Sequence, residues 1–158
     1  MRLLVLLRHA KAARPESMPD VSRPLSDAGR RNAPYAGRWL AEHVGAIDLV
    51  LMSPAERVRQ TWALVAPELP GSPAVQEEPA LYLASLPAML ALLRDVPDDV
   101  STVLVIGHNP DLSVLASALS GTEVVLSTSG IAVLEVNSDW HDLGPGAAQL
   151  RDVAKPRP

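Results

Sequence analysis

Three short apolar runs constrain the fold more than any other feature of this sequence: Leu3–Leu7, Asp48–Met52 and Thr102–Ile106. Each is essentially continuous, whereas a strand with one wet face alternates apolar and polar residues. Such runs build strands buried on both faces, which requires helices on each side of a parallel sheet. Helical patterns do separate them. Ser26 is placed to cap a helix reaching about His43, with Leu40 and Val44 on its apolar side and Pro34 set to break or kink it. Pro54 reads as the first position of a helix carrying Val58, Trp62 and Val65. Leu86–Leu93 reads as a further short helix, and Asn109-Pro110 as the cap and first position of one ending near Ser120-Gly121. Ile131–Val136 reads as a strand, with Ala147–Val153 as its partner across the Gly/Pro-rich loop 137–146. The alternation predicts a three-layer α/β/α sandwich with a mostly parallel central sheet.

The 158 residues suit a single domain over 1–154, with residues 67–79 as a loop-rich connection and the tail 155–158 expected to fray. Apolar residues make up 47%, which excludes a disordered chain. Cysteine is absent, which excludes disulfide scaffolds, thiol nucleophiles, zinc ribbons and iron–sulfur clusters. A net charge of −4 argues against nucleic acid or an anionic membrane as partner. The basic, apolar N-terminus is too short for a signal peptide, since Arg8 and His9 end its apolar run. A cytoplasmic protein is expected. Of the three tryptophans, Trp39, Trp62 and Trp140 each suit a core or an interface.

With thiols gone, His9, His43, His108 and His141 are the main candidates for a nucleophile or base near neutral pH. Arg8-His9 directly follows the first apolar run, Ser53-Pro54 the second and Gly107-His108-Asn109 the third. All three groups therefore fall at the carboxyl ends of parallel strands, where open α/β sheets bind ligands. A lone histidine is as readily a structural one, but two at equivalent strand ends, one beside an arginine, indicate a site. His43 suits the C-terminus of a helix, and His141, between Asp139 and Asp142, a solvated loop. Arg57 falls in the first turn of the second helix, where a cation is unfavourable unless an anion binds there too. Arg8 could join it, because paired guanidinium forks suit a phosphoryl group. Spacing alone leaves Arg59 as a rival. Two arginines would repel a metal ion, and neither a phosphate-binding Gly-rich loop nor a serine nucleophile elbow occurs.

These residues resemble a known family. Leu7-Arg8-His9-Ala10 is similar to the Arg-His-Gly signature of the histidine phosphatase superfamily, which includes the phosphoglycerate mutases, with Ala10 in place of glycine. Ser53-Pro54-Ala55-Glu56-Arg57-Val58-Arg59-Gln60-Thr61 resembles its second signature, and this match selects Arg57 over Arg59. Val105-Ile106-Gly107-His108-Asn109-Pro110 resembles a third. The short length, Arg23-Pro24-Leu25-Ser26-Asp27-Ala28-Gly29 and Thr128-Ser129-Gly130-Ile131-Ala132 point to the SixA-type phosphohistidine phosphatases. The likeness spans roughly residues 3–136, and its motifs are specific in combination.

The resemblance implies a phosphoglycerate-mutase-like fold and a phosphatase without metal or other cofactor. His9 would attack phosphorus to give a phosphohistidine intermediate, and Arg8, Arg57 and His108 would hold the phosphoryl oxygens. Ser53 and Asn109 are expected to contact the substrate. Larger members carry a carboxylic acid in a Leu-x-Glu context, and the counterpart here, Leu81-Tyr82-Leu83, lacks it. Glu77, Glu78, Asp20 and Asp111 stay open as acids. An alkoxide leaving group needs an acid far more than an imidazole does, so the expected substrate is phosphohistidine on a protein, such as a phosphotransfer domain or phosphocarrier. The alternatives are a phosphomonoesterase acting on sugar or nucleotide phosphates and a non-catalytic phosphate-binding module.

Overall fold

In a computed structural model describing residues 1–158, the three apolar runs form neighbouring strands at the centre of one sheet. They are β1 (Arg2–Arg8), β2 (Leu49–Met52) and β4 (Thr102–Gly107). With β3 (Ala74–Glu77), β5 (Ile131–Val136) and β6 (Ala148–Ala154), the sheet order is β3-β2-β4-β1-β5-β6. The first four strands pair in parallel, and β5 and β6 join antiparallel.

Each central run divides its side chains between two cores, as the two-residue period of a strand demands. Leu4, Leu6, Leu49, Leu51, Val103 and Val105 face one core, covered by α3 (Leu86–Arg94) and α4 (Asp111–Ser120). Val5, Leu7, Val50, Met52, Leu104 and Ile106 face the other, covered by α1 (Asp27–His43) and α2 (Glu56–Val65). This is the expected three-layer sandwich. Trp140 is fully buried and donates its ring N–H to the Val100 carbonyl, whereas Trp39 and Trp62 pack half-buried on the α1–α2 side.

Ser26 caps α1 as expected, its hydroxyl accepting the Gly29 N–H. Gly29 is required by packing, because a Cβ there would lie 2.1 Å from the Lys11 carbonyl oxygen. The start of α1 thereby lies directly on the segment that follows His9.

Several local expectations are corrected. Pro34 does not end α1, although it withholds a helical hydrogen bond. Ala33, Ala36, Gly37 and Leu40 bury the same face, and at Gly37 the backbone comes so close to Val65 that no larger residue fits. The helices after β2 and β4 start one or two residues late. Ala55 and Pro110 are the caps, because the Ala55 and Pro110 carbonyls accept the first helical bonds. Residues 67–79 are not merely a loop. They contain β3, an edge strand whose four residues are all exposed and so carry no apolar alternation. Within the tail expected to fray, Arg157 donates to the Thr128 carbonyl at 2.8 Å. No helix is long and apolar enough to cross a membrane.

Candidate active site

The sheet order places β1, β4 and β2 side by side, so the residues at their carboxyl ends meet. The His9 N–H donates to the Gly107 carbonyl across the β1–β4 junction, and the His9 and His108 rings lie edge to face, 5.2 Å apart. From β2, the chain passes through Ser53 into α2, whose second residue is Arg57.

The His9 ring nitrogen Nδ1 lies 2.7 Å from the Ala10 carbonyl. A carbonyl only accepts, so Nδ1 carries the proton and Nε2 holds a lone pair with no partner in the chain. Burial, with smaller contributions from His108, Arg57 and Arg8, lowers the His9 pKa to about 3, against the pull of the Ala10 bond. The ring is therefore neutral at physiological pH and presents a nitrogen able to attack. The backbone around it is held on both sides. Ser129, with φ of 56°, donates its N–H to the His9 carbonyl, and the Thr61 hydroxyl accepts the Ala10 N–H while donating to the Arg57 carbonyl.

His108 is fixed in one tautomer. Arg57 Nη2 can only donate, so His108 Nδ1, at 3.3 Å, accepts. His108 Nε2–H then donates to Ser53 Oγ at 2.8 Å, and the same oxygen accepts the Ala55 N–H. Burial, followed by the Arg57 charge, lowers the His108 pKa to about 4.

Arg57 is nearly buried and held by Asp20, whose backbone carbonyl and carboxylate accept from Nη1 and Nη2 at 2.7 and 3.0 Å. Bonds from the Tyr82 hydroxyl above all, and from Arg23 and Arg57, push the Asp20 carboxyl well below the usual carboxylate range. Asp20 is thus an ionised clamp and not a proton donor near neutral pH.

These groups line an open cleft of about 540 Å³. Five cationic side chains reach it, Arg8, Lys11, Arg14, Arg23 and Arg57, against one carboxylate, Asp111. Such a cleft can hold a dianionic phosphoryl group next to an unprotonated imidazole nitrogen.

His9, Arg8, Arg57, His108 and Asn109 all line the cleft, as the sequence predicts. Asn109 is spoken for at both ends of its amide, donating to the Leu126 carbonyl and accepting from the Ser113 hydroxyl. Ser53 does not line the cleft. It is fully buried behind His108, which corrects the expectation that it touches substrate. Arg59 turns outward to Glu77, with both bonds at 2.9 Å or less, which removes both residues from the cleft. Glu78 also lies outside it. His43 ends α1 stacked on Trp39 and bonded to its carbonyl, and His141 is exposed. The sequence reading passed over Lys11, Arg14, Arg23, Tyr82 and Thr61. Arg23 and Thr61 did leave a signal, as the first residue of the SixA-type motif and the last of the second signature.

The family model described as histidine phosphatase superfamily, branch 1, matches residues 4–82. The chain belongs to the histidine phosphatase superfamily. An uncharacterized protein of Mycobacterium tuberculosis is 40% identical over 162 residues, covering 96% of this chain and all of its own length. Among solved structures, a protein from Nakamurella multipartitia assigned as the phosphohistidine phosphatase SixA is 34% identical. It superposes with a TM-score of 0.88 over 98% of this chain and 96% of its own. The protein histidine phosphatase SixA in complex with tungstate is 26% identical, with a TM-score of 0.83 over 96% and 95% of the two chains.

Superfamily membership together with the likeness to the SixA structures supports a phosphatase, and this gives the cleft its chemical frame. Within this histidine phosphatase, the positions matching the superfamily signatures are the ones that the β1, β4 and β2 ends bring together. The SixA-type motif around Arg23–Gly29 forms the approach to the cleft and the start of α1, and Thr128–Ala132 supplies the Ser129 bond to His9.

Proposed function

We propose that this histidine phosphatase removes phosphoryl groups from phosphohistidine on a protein partner, carrying the phosphoryl group transiently on His9 Nε2. The observation that carries this reading is the His9 tautomer: Nδ1–H is committed to Ala10, which leaves Nε2 free in a ring that packs edge to face on His108 and lines the same cleft as Arg8 and Arg57. The neutral ring attacks phosphorus, and the departing group leaves with the electron pair of its bond to phosphorus. Arg8 and Arg57 offset charge on the equatorial oxygens as the transition state forms, and His108, anchored on Ser53, accepts from Arg57 through Nδ1 and so orients that guanidinium. Water then attacks the phosphoryl group on His9, and His9 leaves as neutral imidazole, its Nδ1–H still bound to Ala10.

Two features favour phosphorus bound to nitrogen. Leu83, an exposed apolar residue on the cleft rim, ends the Leu81-Tyr82-Leu83 segment that by resemblance corresponds to the acid-bearing Leu-x-Glu of larger members. Of the carboxylates left open as acids, Asp20 is held ionised by its donors and Glu77 and Glu78 lie outside the cleft, so that only Asp111 lines it. The similarity to a SixA protein that binds tungstate, a tetrahedral oxyanion, supports the placement of the phosphoryl group in this cleft. The test is a substrate panel containing protein-borne phosphohistidine, sugar phosphates and nucleotide monophosphates. Turnover concentrated on phosphohistidine is expected, and the reverse preference would establish a small-molecule phosphomonoesterase instead.

A further inference from the structure

The one carboxylate in this cation-rich cleft calls for an explanation, because a negative charge there opposes phosphoryl binding. Asp111 opens α4, and its Oδ2 accepts the Ala84 N–H at 3.1 Å. That bond holds the carboxylate between the start of α4 and the segment bearing Tyr82 and Leu83. Oδ1 makes no hydrogen bond in the chain and remains as an acceptor for the cleft. The phosphoryl oxygens belong with the arginines, so the leaving group meets the rest of the lining, in which Tyr82, Leu83, Pro110 and Asp111 lie together around the Asp111–Ala84 bond.

We propose that Asp111 Oδ1 accepts the ring N–H of the departing substrate imidazole and so selects phosphoryl groups on nitrogen over those on oxygen. The inference rests on the phosphohistidine reading above. A phosphorylated imidazole leaves well only when its second ring nitrogen is protonated; otherwise it must depart as an anion. In the transfer, the His9 Nε2 lone pair forms the new bond to phosphorus. The bond from phosphorus to the substrate nitrogen breaks, and its pair returns to that nitrogen. The proton on the other nitrogen stays in place, and a neutral imidazole departs. Asp111 stabilises the protonated ring before departure, just as Ala10 holds Nδ1–H of His9 on the other side of the exchange. The two rings are chemically alike, and each has an acceptor for its far N–H. A phosphate monoester offers no such N–H. Its leaving oxygen would gain negative charge facing a carboxylate, which is repulsive.

The experiment compares the wild-type protein with Asp111→Asn, whose side-chain oxygen can still accept the Ala84 N–H. The substrates are a peptide carrying phosphohistidine and p-nitrophenyl phosphate. The variant is expected to lose about 10- to 100-fold in kcat/KM on the peptide, the span of one charge-assisted hydrogen bond. It should stay within about twofold on the aryl ester, or gain, because a repulsive charge has gone. The alkaline limb of its peptide pH profile should move to lower pH, since ring protonation is no longer supported. Equal losses on both substrates would show that Asp111 only braces the Ala84 segment, and an unchanged peptide rate would show that it touches no imidazole. Either result overturns the proposal while the functional reading stands. A wild-type protein that cleaves the aryl ester but not the peptide would defeat both.

Discussion

Ser53 Oγ lies 2.8 Å from His108 Nε2 and accepts its N–H, so a buried residue behind the cleft fixes the tautomer of the second histidine and turns its Nδ1 to Arg57. Ser53→Ala leaves two buried N–H groups, those of His108 and Ala55, without an acceptor. Each orphaned group costs about 1–3 kcal/mol. The variant is expected to unfold at lower denaturant and to lose about tenfold in kcat through misorientation of His108, with a smaller change in KM. Chemical denaturation and steady-state kinetics on one preparation check both parts.

Arg57 and Arg59 are two residues apart and have opposite fates. Arg57→Ala removes the guanidinium that joins the cleft to His108 and Asp20, and is expected to cost about 100-fold or more in kcat/KM. Arg59→Ala breaks only a half-exposed pair with Glu77 and should stay within about twofold of wild type. Parallel kinetics of the two variants decide the assignment, and a larger effect at Arg59 would contradict it.

Both cleft histidines have folded pKa values below the ordinary 6.5, at about 3 for His9 and about 4 for His108. Below pH 6.5 the unfolded chain therefore takes up protons that the folded chain refuses. Their contribution to stability is complete above about 6.5 and is lost as pH falls toward 4 and 3. Urea midpoints should drop between pH 6.5 and 4, and the drop should shrink in His9→Gln. Ring nitrogen chemical shifts of His9 and His108 should show neutral imidazoles at pH 5.5; charged rings there would contradict the account.

Much of this was legible because burial leaves a mark on sequence. Leu3–Leu7 and Val103–Ile106 are apolar throughout since helices cover both faces, and their ends carry Arg8-His9 and His108. Other parts leave no such mark. β3 is an exposed edge strand of Ala-Val-Gln-Glu, with no periodicity to detect. Pro34 obeys a local rule that the packing of Gly37 against Val65 overrides. The clamp of Asp20 on Arg57 joins residues 37 positions apart, and Tyr82 meets Asp20 across 62. Ser53 was visible as a motif residue, but motif position alone does not say which way its hydroxyl faces.

The central claim is that His9 Nε2 carries the phosphoryl group, and rapid quenching with a ³²P-phosphohistidine protein tests it most directly. A label on the enzyme that is labile in acid and stable in base, that maps to His9 and that is absent from His9→Ala is the expected result. The same variant should fail to turn over while still binding vanadate through Arg8 and Arg57. Turnover without any label on His9, or near-normal activity in His9→Ala, would contradict the account.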